Sequence, residues 1–129
     1  MAAPITALYT GLLALLVVIL AVRVVLVRRS ASVGLGDGGN SELLRRIRIH
    51  GNATENIPIA LLLMLTLELN GTSHALLHGL GASLTLGRLA HVLGLTGSAG
   101  GSPGRVVGNA LTWGSILVGA VSAILRFAK

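Results

Sequence analysis

Arg48, Asn52 and Glu55 stand at i, i+4 and i+7, so a helix through them carries a guanidinium, a carboxamide and a carboxylate on one face. Arg88 and His91 lie one turn apart further along the chain, and Arg23 and Arg105 stand at the ends of two other apolar runs. These groups do complementary work: guanidinium forks hold carboxylates or phosphates, a carboxylate holds an ammonium, and a carboxamide donates and accepts. Arg23, Arg48, Arg88 and Arg105 against Glu55 alone leave positive charge in excess. Such an excess is expensive to bury without a counter-ion. An anionic ligand would supply one; lipid phosphates reached by snorkelling arginines are the alternative.

The elements that must carry these residues are mostly hydrocarbon. The chain has 129 residues, 53% hydrophobic and only 11% charged, with a mean hydropathy of +0.84. A soluble domain has about 25% charged residues, so an integral membrane protein is expected. Residues 4–27 form a first apolar run broken only by Arg23, long enough for a bilayer core. No basic residue precedes it and Arg28 and Arg29 follow it, which predicts a retained span rather than a cleaved leader. A Gly-rich loop over 30–41 comes next, without the spacing of a phosphate-binding loop. The second helix is expected over 42–69, with Ser41 as its N-cap and a kink at Pro58, where the alternative is a break into two helices. A short turn at 70–73 leads to a third span over 74–95, and a loop over 96–104 to a fourth over 105–125. Gly79, Ser83 and Gly87, and then Ser115, Gly119 and Ala123, form small-residue stripes suited to close helix packing in lipid.

The expected fold is therefore all-α, a single integral membrane four-helix bundle. Up-and-down threading brings the first and third loops to one face, with Arg28, Arg29, Arg45 and Arg46, while the opposite turn at 70–73 carries no charge. The positive-inside rule puts the loaded face in the cytoplasm and both termini outside, with Arg126 and Lys129 in dissent. Arg23, Arg48, Asn52, Glu55, Arg88, His91 and Arg105 then share one membrane depth near the cytoplasm. Ionisable groups placed so are functional-site candidates.

Other chemistries find little support. With no cysteine, thiolate metal sites and cysteine nucleophiles are excluded. His74 and His78 are spaced i, i+4, but only Glu68 could join them, so no metal site is expected. The net charge of +6 does not indicate nucleic acid: the basic residues flank apolar runs, and one Trp, one Tyr and one Phe offer little base stacking.

The run Arg48-Ile49-His50-Gly51-Asn52-Ala53-Thr54-Glu55, with Pro58 after it, resembles the membrane-associated proteins in eicosanoid and glutathione metabolism, the MAPEG family. Gly87-Arg88-Leu89-Ala90-His91 is similar to the end of helix 3 in its prostaglandin synthase branch, and the likeness covers nearly the whole chain. The Gly-Asp-Gly-Gly-Asn loop looks most like the small bacterial inner-membrane members. The resemblance implies a homotrimer with glutathione bound between subunits at the cytoplasmic end. Arg48, Asn52, Glu55, Arg88, His91 and, less closely matched, Arg23 would bind it. Arg105 would be catalytic, stabilising the thiolate for attack on a lipophilic electrophile. Asn56, Leu95 and Asn109 depart from the pattern, since members often have tyrosine there, and Tyr9 in the first span is the only tyrosine. That weakens the case for transferase or peroxidase activity more than the case for binding. Two alternatives stay open: a non-catalytic protein of this fold that binds glutathione or an anionic lipid, and a small proton-coupled exporter built on Glu55.

Overall fold

The computed structural model describes residues 2–97 and 101–128. Residues 98–100 of the third loop, Met1 and the dissenting Lys129 lie outside the described residues. The chain forms four helices, α1 Pro4–Ser30, α2 Ser41–Leu69, α3 His74–Gly97 and α4 Pro103–Phe127, threaded up and down as an all-α bundle. By length and composition, α1 and α4 are apolar enough to cross a bilayer. The shorter α3 and the longer α2, at 24 and 29 residues, reach about 36 and 44 Å, and α2 and α3 carry the candidate polar groups. α2 and α3 occupy the middle: α1 packs on both, and α4 packs on both from the other side.

Local chemistry explains the ends. Pro4 opens α1 with its missing N–H at a position that needs none. Ala3 offers no side-chain cap there. Instead the carboxylate of Glu68, at the far end of α2, accepts the Ile5 and Thr6 N–H groups at 2.9 and 2.7 Å, where the helix dipole favours negative charge. α1 ends with Ser32 in the left-handed region at φ 53°; Val33 N–H donates to Arg28 O and Ser32 N–H to Arg29 O, closing the last turn. The cap of α2 is Asn40, not Ser41: its side chain accepts the Leu43 N–H at 2.9 Å. Ser41 is the first helical residue, since Asn40 already has the extended backbone a cap requires. α2 runs unbroken through Pro58 and closes at Gly71, whose φ of 72° suits glycine.

Two apolar clusters fill the bundle. Leu13, Leu20, Ile49, Ile57, Leu84 and Leu95 pack in the half that holds the candidate site. Ile5, Tyr9, Met64, Leu67, Leu77 and Leu80 pack in the other. The outer surface is hydrocarbon as well, with Leu15, Leu117 and Ile124 about two-thirds exposed; a water-facing protein would not present such a continuous coat.

The tightest contact joins α3 to α4. A methyl group on Gly108 would come within 2.6 Å of Gly87 O and His91 N, and one on Gly94 within 2.6 Å of Arg105 N. Ser83 and Ser115 hydroxyls donate to Leu111 O and Leu80 O across the same seam. The small residues thus work inside the bundle. Of the expected stripes, Gly79 alone faces open space, while Gly119 packs near Leu63 and Leu80.

Candidate functional site

A cleft of about 390 Å³ opens at the end of the bundle formed by the start of α2, the end of α3 and the start of α4. Ser41, Leu44, Arg45, Arg48 and Asn52 line it from α2, His91 and Leu95 from α3, and Arg105 from α4. Its size falls in the range of small-ligand sites, about 300–1,000 Å³. Three guanidiniums, an imidazole and a carboxamide converge there, and among the described residues no carboxylate lines the wall.

Arg48, Asn52, His91 and Arg105 are therefore brought together. Glu55 and Arg23 are not part of the wall. Glu55 is more than half exposed and lies 4.0 Å from Arg48, itself 61% exposed, a separation and exposure at which an ion pair contributes little. On the α2 helix it continues the stripe of Leu44 and Arg48 toward the outside of the bundle. Arg23 is half-buried on α1.

Arg88 lies behind the wall, only 1% exposed. Its Nε donates to Thr112 Oγ1 at 2.8 Å and its Nη1 to Asn52 Oδ1 at 2.5 Å. Nη2 reaches Gly108 O and Asn109 Oδ1 at 3.3 and 3.4 Å. Every one of these acceptors is neutral, so the guanidinium is hydrogen-bonded but not charge-balanced. It fixes Asn52 in the cleft and leaves its own charge behind the wall. The main-chain carbonyl of Asn52 accepts from Asn56 Nδ2 at 2.8 Å, and Asn56 Oδ1 accepts from Trp113 Nε1 at 3.3 Å. A polar ladder thus leaves the cleft and ends at the outer surface.

Arg45 is the residue that the sequence pattern left out of the site. Its Nη2 lies 3.3 Å from Glu42 Oε2 and its Nη1 donates to Thr96 O at 3.3 Å. Its Nε is buried with no partner among the described residues. Glu42 is engaged more closely by Arg46, at 2.6 Å. The signal was present, because Arg45 precedes Arg48 by three and Asn52 by seven and so shares their face; it was absorbed by the charge count for membrane orientation.

A sequence profile of the MAPEG family matches residues 6–125. The chain belongs to the MAPEG family. It is 49% identical over 90 residues to Inner membrane protein YecN of Escherichia coli strain K12, covering 70% of this chain and 69% of that one. The protein of the same name from E. coli O6:H1 matches equally. No solved structure matches. Membership agrees with the four-helix architecture and the hydrocarbon coat: this is an integral membrane bundle of the glutathione and eicosanoid family.

The three departures from the MAPEG pattern have distinct places. Leu95 lines the cleft itself, Asn109 accepts from Arg88, and Asn56 belongs to the polar ladder. Tyr9 packs in the opposite half of this MAPEG bundle, where its hydroxyl meets His78 Nδ1 at 3.1 Å. Among the described residues no phenol lines the cleft.

Proposed function

We propose that this protein is a glutathione-dependent membrane transferase or peroxidase acting on lipophilic electrophiles. One observation carries the reading: the cleft gathers Arg45, Arg48 and Arg105 with Asn52 and His91, and no carboxylate among the described residues lines it. That set fits glutathione. Two carboxylates suit guanidinium forks, and the amide groups suit Asn52. The uncompensated charge of Arg88 behind the wall favours an anion in the cleft. Glu55 suits the ammonium, and its exposure on the outer flank of α2 suits a site completed by a neighbouring subunit in a homotrimer. Glutathione supplies the nucleophilic thiolate when bound. Arg105 would hold that thiolate by charge, which lowers a thiol pKa and raises the reactive fraction. Asn52, fixed by Arg88, would orient the tripeptide, and Leu95 would exclude water near the sulfur. The electrophile would enter from the bilayer, and the cleft would face the cytoplasm, where the basic loop residues Arg28 and Arg29 belong by the positive-inside rule.

The test is thermal: glutathione at millimolar concentration should raise the unfolding temperature of the detergent-purified protein by mass action on the folded state. An unchanged unfolding temperature well above cellular glutathione levels would remove the proposal.

A second reading, binding without conjugation, is favoured by Leu95 standing where a phenol would help hold the sulfur. Arg105→Leu separates the two. Under the transferase reading, binding survives while the ultraviolet thiolate absorbance and turnover with a reactive test electrophile both fall. A wild type that binds glutathione yet forms no thiolate near neutral pH decides for the binding-only reading.

A further inference from the structure

We propose that the end of α1 and the loop after it form a binding site for the headgroup of an anionic phospholipid. The site is separate from the cleft and does not depend on the glutathione reading. Val25, Arg28, Arg29, Ser32, Val33 and Gly34 line a shallow dish of about 360 Å³. The loop is folded onto it. Arg28 Nη1 donates to Gly36 O at 2.8 Å, and a methyl group on Gly38 would come within 2.7 Å of Val33 Cγ2. Arg29 is exposed, and its side chain has no hydrogen bond or ion pair among the described residues. The nearby carboxylates are occupied elsewhere: Asp37 accepts the Gly39 N–H at 3.0 Å, and Glu42 is held by Arg46 at 2.6 Å. Two guanidiniums thus share one dish without a counter-ion among the described residues, and phosphate oxygens fit such forks.

Depth and hydrocarbon make the occupant a lipid rather than free phosphate. α1 has 27 residues and reaches about 40 Å, longer than a hydrocarbon core of about 30 Å. Its last turn, with Arg28 and Arg29, therefore stands at the level of the headgroups. Val18, Val22, Val25 and Arg29 are spaced i, i+4, i+7 and i+11, so they share one face. All three valines are exposed. From Arg29 back to Val18 the helix descends about 16 Å, roughly the hydrocarbon depth of one leaflet. An acyl chain laid along this stripe brings its phosphate to Arg29, with Arg28 and the Ser32 hydroxyl on the same dish. Leu35 stands between Gly34 and Gly36 in the loop and is 93% exposed. Water is a costly surrounding for it, and the acyl boundary beside the headgroup is not.

The test offers the protein two lipids with the same acyl chains and different net charge. Dioleoyl phosphatidylglycerol and dioleoyl phosphatidylcholine are mixed in equal amounts with the protein in mild detergent, and retained lipids are counted by native mass spectrometry. Wild type should retain phosphatidylglycerol over phosphatidylcholine by roughly tenfold. Arg29→Gln should cut that preference about fivefold. Arg29 holds nothing else in the protein, so this variant should keep wild-type helical content and oligomer size. Arg48→Gln removes a positive charge from the cleft at the same end of the bundle and should leave the preference unchanged. That comparison separates a site at the dish from general attraction to a basic protein. A wild type without preference overturns the proposal, as it would if a second copy of the chain covered this face. A preference that survives in Arg29→Gln also overturns it, and one that falls in Arg48→Gln instead would put the anionic lipid in the cleft.

Discussion

Arg88 shows how much of a site can hide behind its wall. The pairing of Arg88 with His91 at a helix end is legible in sequence, but the four neutral acceptors that hold Arg88 are not, because they depend on the registers of α4 and of α2 against α3. Thr112 is the partner most easily tested. Its hydroxyl accepts from Arg88 Nε and donates to Gly108 O at 2.8 Å. Thr112→Val should lower stability by about 1–2 kcal/mol, read by denaturant titration in detergent, whereas Thr112→Ser should stay close to wild type. A loss in Thr112→Ser with Thr112→Val close to wild type would mean that Thr112 matters through its methyl group instead. Glu55 presents the opposite case. Exposed and 4.0 Å from Arg48, it should contribute little to stability, so Glu55→Gln should leave unfolding almost unchanged. The same substitution should weaken glutathione binding by about 1–3 kcal/mol if a neighbouring subunit desolvates the site. Calorimetry showing wild-type affinity would remove Glu55 from the ligand shell.

At the scale of elements, composition and periodicity yield the four helices because each is a long apolar run punctuated by glycine, serine or asparagine. What they do not yield is which small residues meet. Glycine at i, i+4 looks the same whether it faces a helix of its own chain, another subunit or lipid. The structure spends Gly87, Gly94, Gly104 and Gly108 on the α3–α4 crossing and leaves Gly79 open. Gly108→Ala should therefore push α3 and α4 apart at the level of His91 and cost about 1–3 kcal/mol, with loss of glutathione binding as His91 and Arg105 separate. Gly79→Ala should cost nothing and slightly favour the helix. A Gly108→Ala variant as stable as wild type would contradict the close approach. The N-cap illustrates a smaller limit of the same kind. Asn40 and Ser41 are both good caps by type, and only the backbone conformation chooses between them.

For the molecule as a whole, the two ends of the bundle divide the work. One end gathers the cleft and most of the arginines; the other is pinned by groups that cross between helices. Glu68 caps α1, and Arg126 donates to the carbonyls of Asn70 and Gly71, which gives this positive charge on the opposite face a structural reason to be there. Charge counting alone could not see that reason, since the partners are backbone atoms distant in sequence. Because the small residues of α3 and α4 are mostly consumed within the protomer, the proposed trimer would rely on the broad hydrocarbon flanks and on the exposed Glu55. We expect native mass spectrometry from mild detergent to find trimers, further stabilised by glutathione; monomers under all conditions would require the ligand site to be completed within one chain. The polar ladder has a practical corollary. Its outermost rung, Trp113, is the only tryptophan in the protein, and it is joined through Asn56 and Asn52 to Arg88 and the cleft. The protein thus carries its own fluorophore, held by Asn56 one helical turn from the Asn52 that lines the cleft, and the colour of its indole emission offers a label-free view of the cleft from the lipid side.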